Sequence, residues 1–349
     1  MRLRPHAAVL LALACTAVVA AAPQSLQQPP PVFKTGVELI NVTATVSDAN
    51  GRFVPGLRKE DFLVYEDDQL QEITSFSADR VPVSLGMAID TSGSMTGDKI
   101  HEAERALNRF LYELLDAQDE IFLYRFSNEP QLLQGWTSDR TLLARALERL
   151  APNGGTALYD AVVDAVPLLA NGRNAKKALL VISDGRDTSS RSTIAEVHEA
   201  IRQSEALLYA VGIDCAAPAR RSTGARIEQQ PPIPLPFPPR RRPFPRPPAA
   251  PPLPGQPLPG QPDVWPRCTD PVDVAALRDI TDDSGGRTEV VHDARDLNPA
   301  TANIADELSK QYYLAYPSSG KKDGRFHSIR VEVKGHAYRV RARRGYVAS

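Results

Sequence analysis

Four short apolar runs in the middle of the chain constrain its fold more than any other feature. They are Leu85–Ile89, Ile121–Phe126, Ala178–Ile182 and Leu207–Ile213. A strand that is apolar at nearly every position has both faces buried, as in a parallel sheet with helices above and below. The stretches between them carry the complementary pattern. Ile100, Ala103, Leu107, Phe110, Leu111 and Leu114 recur at helical spacing. So do Leu158, Ala161, Val162, Ala165, Val166 and Leu169, and then Ile194, Val197 and Ile201. This alternation predicts an α/β domain with a central, mostly parallel sheet. It resumes later with a helix over 272–280, a turn at Gly285-Gly286, a strand over 288–291 and a closing helix over 297–313.

The two ends read as strands. Within 33–80, Val37, Leu39, Val42, Ala44 and Val46 fall mostly on alternate positions, and Asp48-Ala49-Asn50-Gly51 and Asp67-Asp68 are turn signals. Within 325–347, Ile329, Val331 and Val333 alternate, as do Tyr338, Val340 and Ala342, with Gly335-His336 between them as a hairpin signal. Each piece is too small to fold alone, so a small β-rich domain sharing one core is expected from both.

Residues 1–22 resemble an export signal: Arg2 and Arg4, an apolar stretch from Ala7 to Ala21, and small residues Ala20-Ala21-Ala22 before Pro23. The stretch is short for a bilayer span of roughly 20 residues. Cleavage would leave no membrane-spanning segment and would place the protein outside the cytoplasm, secreted or periplasmic. A Gln/Pro-rich leader, expected to be disordered, covers 23–32. Residues 216–267 hold 18 of the 31 prolines and eight arginines, a composition that cannot bury enough surface to fold. This arm is either a basic polyproline contact surface or a tolerated insertion. Cys215 and Cys268 bracket it, and in an exported chain they are either one disulfide or two thiols. The formal net charge of -1 gives no support to nucleic-acid or membrane-surface binding.

Oxygen donors collect at the ends of the predicted strands. Asp90-Thr91-Ser92-Gly93-Ser94 follows the first apolar run, Gly154-Gly155-Thr156 precedes a helix, and Ser183-Asp184-Gly185 follows the third run. Open α/β sheets bind ligands at this edge. Gly93 is expected to permit the tight turn that brings its neighbours together. Asp90, Ser92, Ser94, Thr156 and Asp184 are hard donors suited to Mg²⁺, Mn²⁺ or Ca²⁺. Only two of them carry charge, so a cation held there would draw a further carboxylate from a partner.

These residues resemble the metal-ion-dependent adhesion site of the von Willebrand factor type A domain, the fold also inserted in integrins. Its pattern is Asp-x-Ser-x-Ser with a distant Thr and a distant Asp. The resemblance covers about 83–316. It implies a Rossmann-like three-layer fold, direct metal contacts from Ser92, Ser94 and Thr156, and contacts from Asp90 and Asp184 largely through water. It also implies a protein partner presenting an Asp or Glu. Val54-Pro55-Gly56-Leu57, Glu60-Asp61-Phe62, Tyr65-Glu66-Asp67 and the ending Val340-Arg341-Ala342-Arg343-Arg344-Gly345-Tyr346 resemble an exported, acidobacterial-type family of such proteins.

Other readings fit less well. Helix capping explains Ser92 and Ser94 but not donors at three separate element ends. Asp90-Thr91-Ser92-Gly93 resembles the aspartic-protease loop, but its second copy is absent. No Walker loop or Gly-x-Ser-x-Gly elbow is present, so a hydrolase is disfavoured. The acidic group Glu60, Asp61, Glu66, Asp67 and Asp68 lacks the spacing of a calcium loop. A scaffold acting through the Pro/Arg arm remains the alternative to a binding module.

Overall fold

The computed structural model describes residues 39–184, 186–214, 272–318, 323–335 and 337–348. The signal at 1–22, the leader, Cys215, Cys268 and the arm at 216–267 lie outside the described residues. The chain order is β1 (Leu39–Ser47), β2 (Phe62–Glu66), β3 (Gln69–Gln71), β4 (Ser75–Ser77), β5 (Val83–Asp90), α1 (Asp98–Arg109), β6 (Glu120–Phe126), β7 (Pro130–Thr137), α2 (Arg140–Leu147) and α3 (Leu158–Leu169). It continues with β8 (Lys176–Ser183), α4 (Ile194–Gln203), β9 (Leu207–Ile213), α5 (Val274–Ser284), β10 (Arg287–Val291), α6 (Leu297–Lys310), β11 (Tyr312–Pro317), β12 (Phe326–Val333), β13 (Arg339–Arg341) and β14 (Gly345–Val347).

The apolar runs become the middle of a six-stranded sheet ordered β10-β9-β8-β5-β6-β7. All neighbours are parallel except the edge pair β6 and β7. Every residue of β5 and β9 is buried, which accounts for their unbroken hydrophobicity. Helices α1, α2 and α6 cover one face and α3, α4 and α5 the other. Their starts are chemically marked. Thr193 and Glu196 form a reciprocal cap at α4, and Asp139 accepts from the Thr141 amide at α2. The expected three-layer α/β domain is therefore present.

Two four-stranded sheets, β13-β1-β11-β4 and β14-β12-β2-β3, make up the β-rich part. Both chain ends contribute to its single core, which includes Val42, Ala44, Val64, Leu314, Tyr316 and Ile329. Tyr312 anchors it, stacked on Phe53 and tilted against Phe62, with its hydroxyl donating to the Val54 carbonyl at 2.8 Å.

Two boundaries differ from expectation. The closing helix stops at Lys310, and Tyr312–Pro317 is a strand of the β-rich part, paired with β1. The cause is a change of period: Tyr312, Leu314 and Tyr316 bury alternate side chains, where a helix would need every third or fourth. Nor is 325–347 a simple hairpin. β12 pairs with β2 and β14, whereas β13 crosses to the other sheet and pairs with β1. Gly335, at φ 75°, turns the chain between the sheets.

Candidate functional site

β5 and β8 are neighbours in the sheet, so their carboxyl ends lie side by side. Asp90 is the last residue of β5, and Asp184 directly follows β8; both are buried. The Asp90 carboxylate is held from two directions. Its Oδ1 accepts from the Ser92 amide at 2.7 Å and its Oδ2 from the Ser183 hydroxyl at 2.6 Å. Burial pushes its pKa up to about 6, the Ser183 and Ser92 bonds act against that, and the nearby Asp184 charge adds to it.

A line of oxygens continues from there. Ser92 Oγ and Ser94 Oγ lie 3.0 Å apart, and Ser94 Oγ donates to Asp184 Oδ1 at 2.7 Å. Lys99, in the first turn of α1, donates to the Ser94 carbonyl at 3.0 Å and to Asp184 Oδ2.

Backbone bonds bring the third segment to the same edge. Gly93 donates to the Gly154 carbonyl at 2.9 Å, and Asn153 donates to the Thr91 carbonyl at 2.8 Å. The Thr91 amide in turn donates to the Phe126 carbonyl, at 2.7 Å, at the end of β6. The loop after β8 closes over Thr156. Thr188 and Ser189 donate amides to the Thr156 carbonyl at 2.8 and 3.1 Å, and the Thr188 hydroxyl accepts from the Thr156 amide at 3.0 Å. Thr156 is buried at 4% exposure. Thus Asp90, Ser92, Ser94 and Asp184 sit in one hydrogen-bonded group, with Ser183 bridging Asp90 to the end of β8. Thr156 is docked beside them through its backbone; among the described residues no hydrogen bond joins its hydroxyl to the other four.

Of the glycines at this edge, Gly154 is needed and Gly93 is not. Gly93 has an ordinary φ, and an added Cβ would meet only the Gly154 carbonyl at 3.4 Å. Gly154 sits at φ 74°, and a Cβ there would run into the Asn128 side chain at 2.7 Å. Asn128 also accepts from the Gly155 amide at 2.6 Å, a role that no sequence pattern announced. Lys99 was likewise missed, although its place five residues after Ser94 on a helix start could have suggested it.

The acidic group near the N-terminus divides. Asp61 caps the Arg58 amide at 2.7 Å. Glu66 and Asp67 instead face His327, whose Nδ1 is 2.8 Å from Asp67 and whose Nε2 is 3.2 Å from Asp323. No helix among the described residues is long and apolar enough to cross a membrane.

Residues 86–186, which hold all five of the donors first singled out, match the family model of the von Willebrand factor type A domain. Inter-alpha-trypsin inhibitor heavy chain H2 of Sus scrofa is 26% identical over 155 residues, which covers 39% of this chain and 16% of that one. Minor fimbrium subunit Mfa5 of Porphyromonas gingivalis is 30% identical over 116 residues, covering 31% of this chain and 9% of that one. This chain therefore spans less than a fifth of either relative. The solved vWF domain of the Porphyromonas gingivalis type V pili tip protein Mfa5 is similar at 27% identity, over 34% of this chain and 44% of that one, with a TM-score of 0.29.

Proposed function

Since the chain is a von Willebrand factor type A domain protein, we propose that it is an exported protein-binding module whose affinity depends on a divalent cation at Asp90, Ser92, Ser94, Thr156 and Asp184. The observation that carries this reading is the line of oxygens from Ser92 through Ser94 to Asp184, spaced at 3.0 and 2.7 Å. Oxygens that share an octahedral Mg²⁺ at about 2.1 Å stand about 3 Å apart, which is close to the spacing of the Ser92, Ser94 and Asp184 oxygens. Mn²⁺ and Ca²⁺ suit the same hard donors.

When bound, the cation supplies positive charge and an open position for an Asp or Glu carboxylate of a partner protein. The protein's own residues do the rest. Asp90 and Asp184 provide the only two charges of the set, and the three hydroxyls add none. Ser183 and the Ser92 amide fix the Asp90 carboxylate, so little ordering remains to be done on binding. The loop tethers at Gly93, Asn153 and Thr188 hold the three segments in register.

No imidazole or thiol stands among these residues, and the hydroxyls of Ser94 and Ser183 already donate to carboxylates. That supports a binding role over an enzymatic one, for which an activated nucleophile would be needed. The basic-then-apolar stretch at 1–22 and the fimbrial relative support a place in the cell envelope or outside it.

Calorimetric titration of Mg²⁺ and Mn²⁺ is the direct test. The parent should bind one ion and Thr156→Ala should lose at least tenfold in affinity. A parent and variant that bind alike would remove Thr156 from the site. Partner capture that persists in EDTA would remove the cation from the function.

A further inference from the structure

The proposed cation site already contains a positive charge of its own. Lys99 points back from the first turn of α1, with its side chain only 17% exposed. Its ammonium donates to the Ser94 carbonyl at 3.0 Å and pairs with Oδ2 of Asp184, a carboxylate with no exposure. Oδ1 of that carboxylate takes the Ser94 hydroxyl at 2.7 Å. One side chain thus engages both a proposed ligand and the backbone of another. The burial matters, because charges in a partly desolvated site interact several times more strongly than on an open surface.

We propose that Lys99 is a built-in rival of the divalent cation, one that holds the Asp184 carboxylate and sets a low metal affinity. The inference rests on the metal-site reading above. The ammonium offsets the charge of Asp184, which stands near the buried Asp90. A cation placed among the same oxygens must share Asp184 with the ammonium or displace it, and either arrangement weakens its binding. The side chain is long enough to swing outward, since its Cα lies at a helix start that faces solvent on one side. The site is then tuned to stay open until the cation is abundant or a partner carboxylate adds its charge.

The test is calorimetric titration of Mn²⁺ alone into the purified chain, Lys99→Gln, Lys99→Met and Lys99→Arg. Far-ultraviolet circular dichroism checks each fold. Both neutral variants should bind Mn²⁺ at least about tenfold more tightly than the parent, and the arginine variant should stay within about threefold of it. Tight binding by Lys99→Gln where the parent shows none is the strongest form of the same result. If the parent binds and the neutral variants bind equally or more weakly, Lys99 supports the site and the proposal is overturned, with the site reading intact. If parent and all variants fail to bind while folded, both readings fall together.

Discussion

Two carboxylate groups, one buried and one nearly so, lie toward opposite ends of the same sheet, and they are balanced in opposite ways. At the carboxyl ends of the strands, Asp90 accepts from the Ser183 hydroxyl, and Asp184 from the Ser94 hydroxyl and the Lys99 ammonium. Near the strand starts, Glu307 of α6 faces two guanidinium groups, those of Arg287 and Arg341. It also accepts from the Tyr209 hydroxyl at 2.9 Å and the Thr45 hydroxyl at 3.2 Å, while Gln311 donates to both of those hydroxyls. The first group has acceptors to spare, and the second has donors to spare. A surplus of acceptors invites a cation from outside. The network around Glu307 draws on β1, β9, β13 and α6, and so joins the α/β layer to the β sandwich. Burial of acid alone does not distinguish a binding site from a joint; the local count of charges does.

The largest effect should come from Glu307→Ala. It takes a partner from Arg341 and from Arg287, which keeps Glu289, and an acceptor from the Tyr209 and Thr45 hydroxyls, and should cost about 2–3 kcal/mol of stability. Urea unfolding would show it, with Mg²⁺ affinity unchanged. A loss below about 1 kcal/mol, or a change in metal affinity, would erase the contrast between the two ends.

A smaller effect concerns Lys176, buried at the start of β8 with its ammonium on the Leu308 carbonyl. Burial, with help from Arg80, lowers its pKa from 10.5 to about 7, against the opposing pull of Glu307 and Asp119. Between pH 7 and 10 the unfolded chain therefore binds more protons than the folded one, and stability should rise with pH. The rise assignable to this residue should be about 2 kcal/mol from pH 7 to 9, and Lys176→Met should abolish it. Parallel pH profiles of parent and variant would place Lys176 on a free surface.

The smallest effect separates the two loop glycines. Gly154→Ala should cost about 1–2 kcal/mol through its positive φ and its contact with Asn128, and Gly93→Ala within about 0.5 kcal/mol. Equal melting points for the two variants would show that the loop edge tolerates more than its hydrogen bonds suggest.

Much of this was legible in the sequence because it depends on local rules. Residues such as Leu85, Met87 and Ile182 announce buried strands by being apolar without alternation. Asp90 and Asp184 stand out because each ends such a run. What was not legible depends on long-range geometry. The alternation of Tyr312, Leu314 and Tyr316 marks a strand, but nothing local says that it pairs with Ala44, Val42 and Ile40, and β7 was overlooked because Pro130–Thr137 is half-exposed and only weakly patterned. Asn128 and Lys99 act across loops, where the identity of a residue says little about its reach.

The α/β domain is threaded into the β sandwich: the chain enters it from β4 at Val83 and returns through α6 into β11. Tension applied at Leu39 and Ala348 would be carried first by the antiparallel ladders of β1 with β11 and β13, and of β14 with β12. The loops that carry Asp90, Thr156 and Asp184 lie off that load path. Load carried by those ladders would leave unstrained the edge at which the proposed site sits.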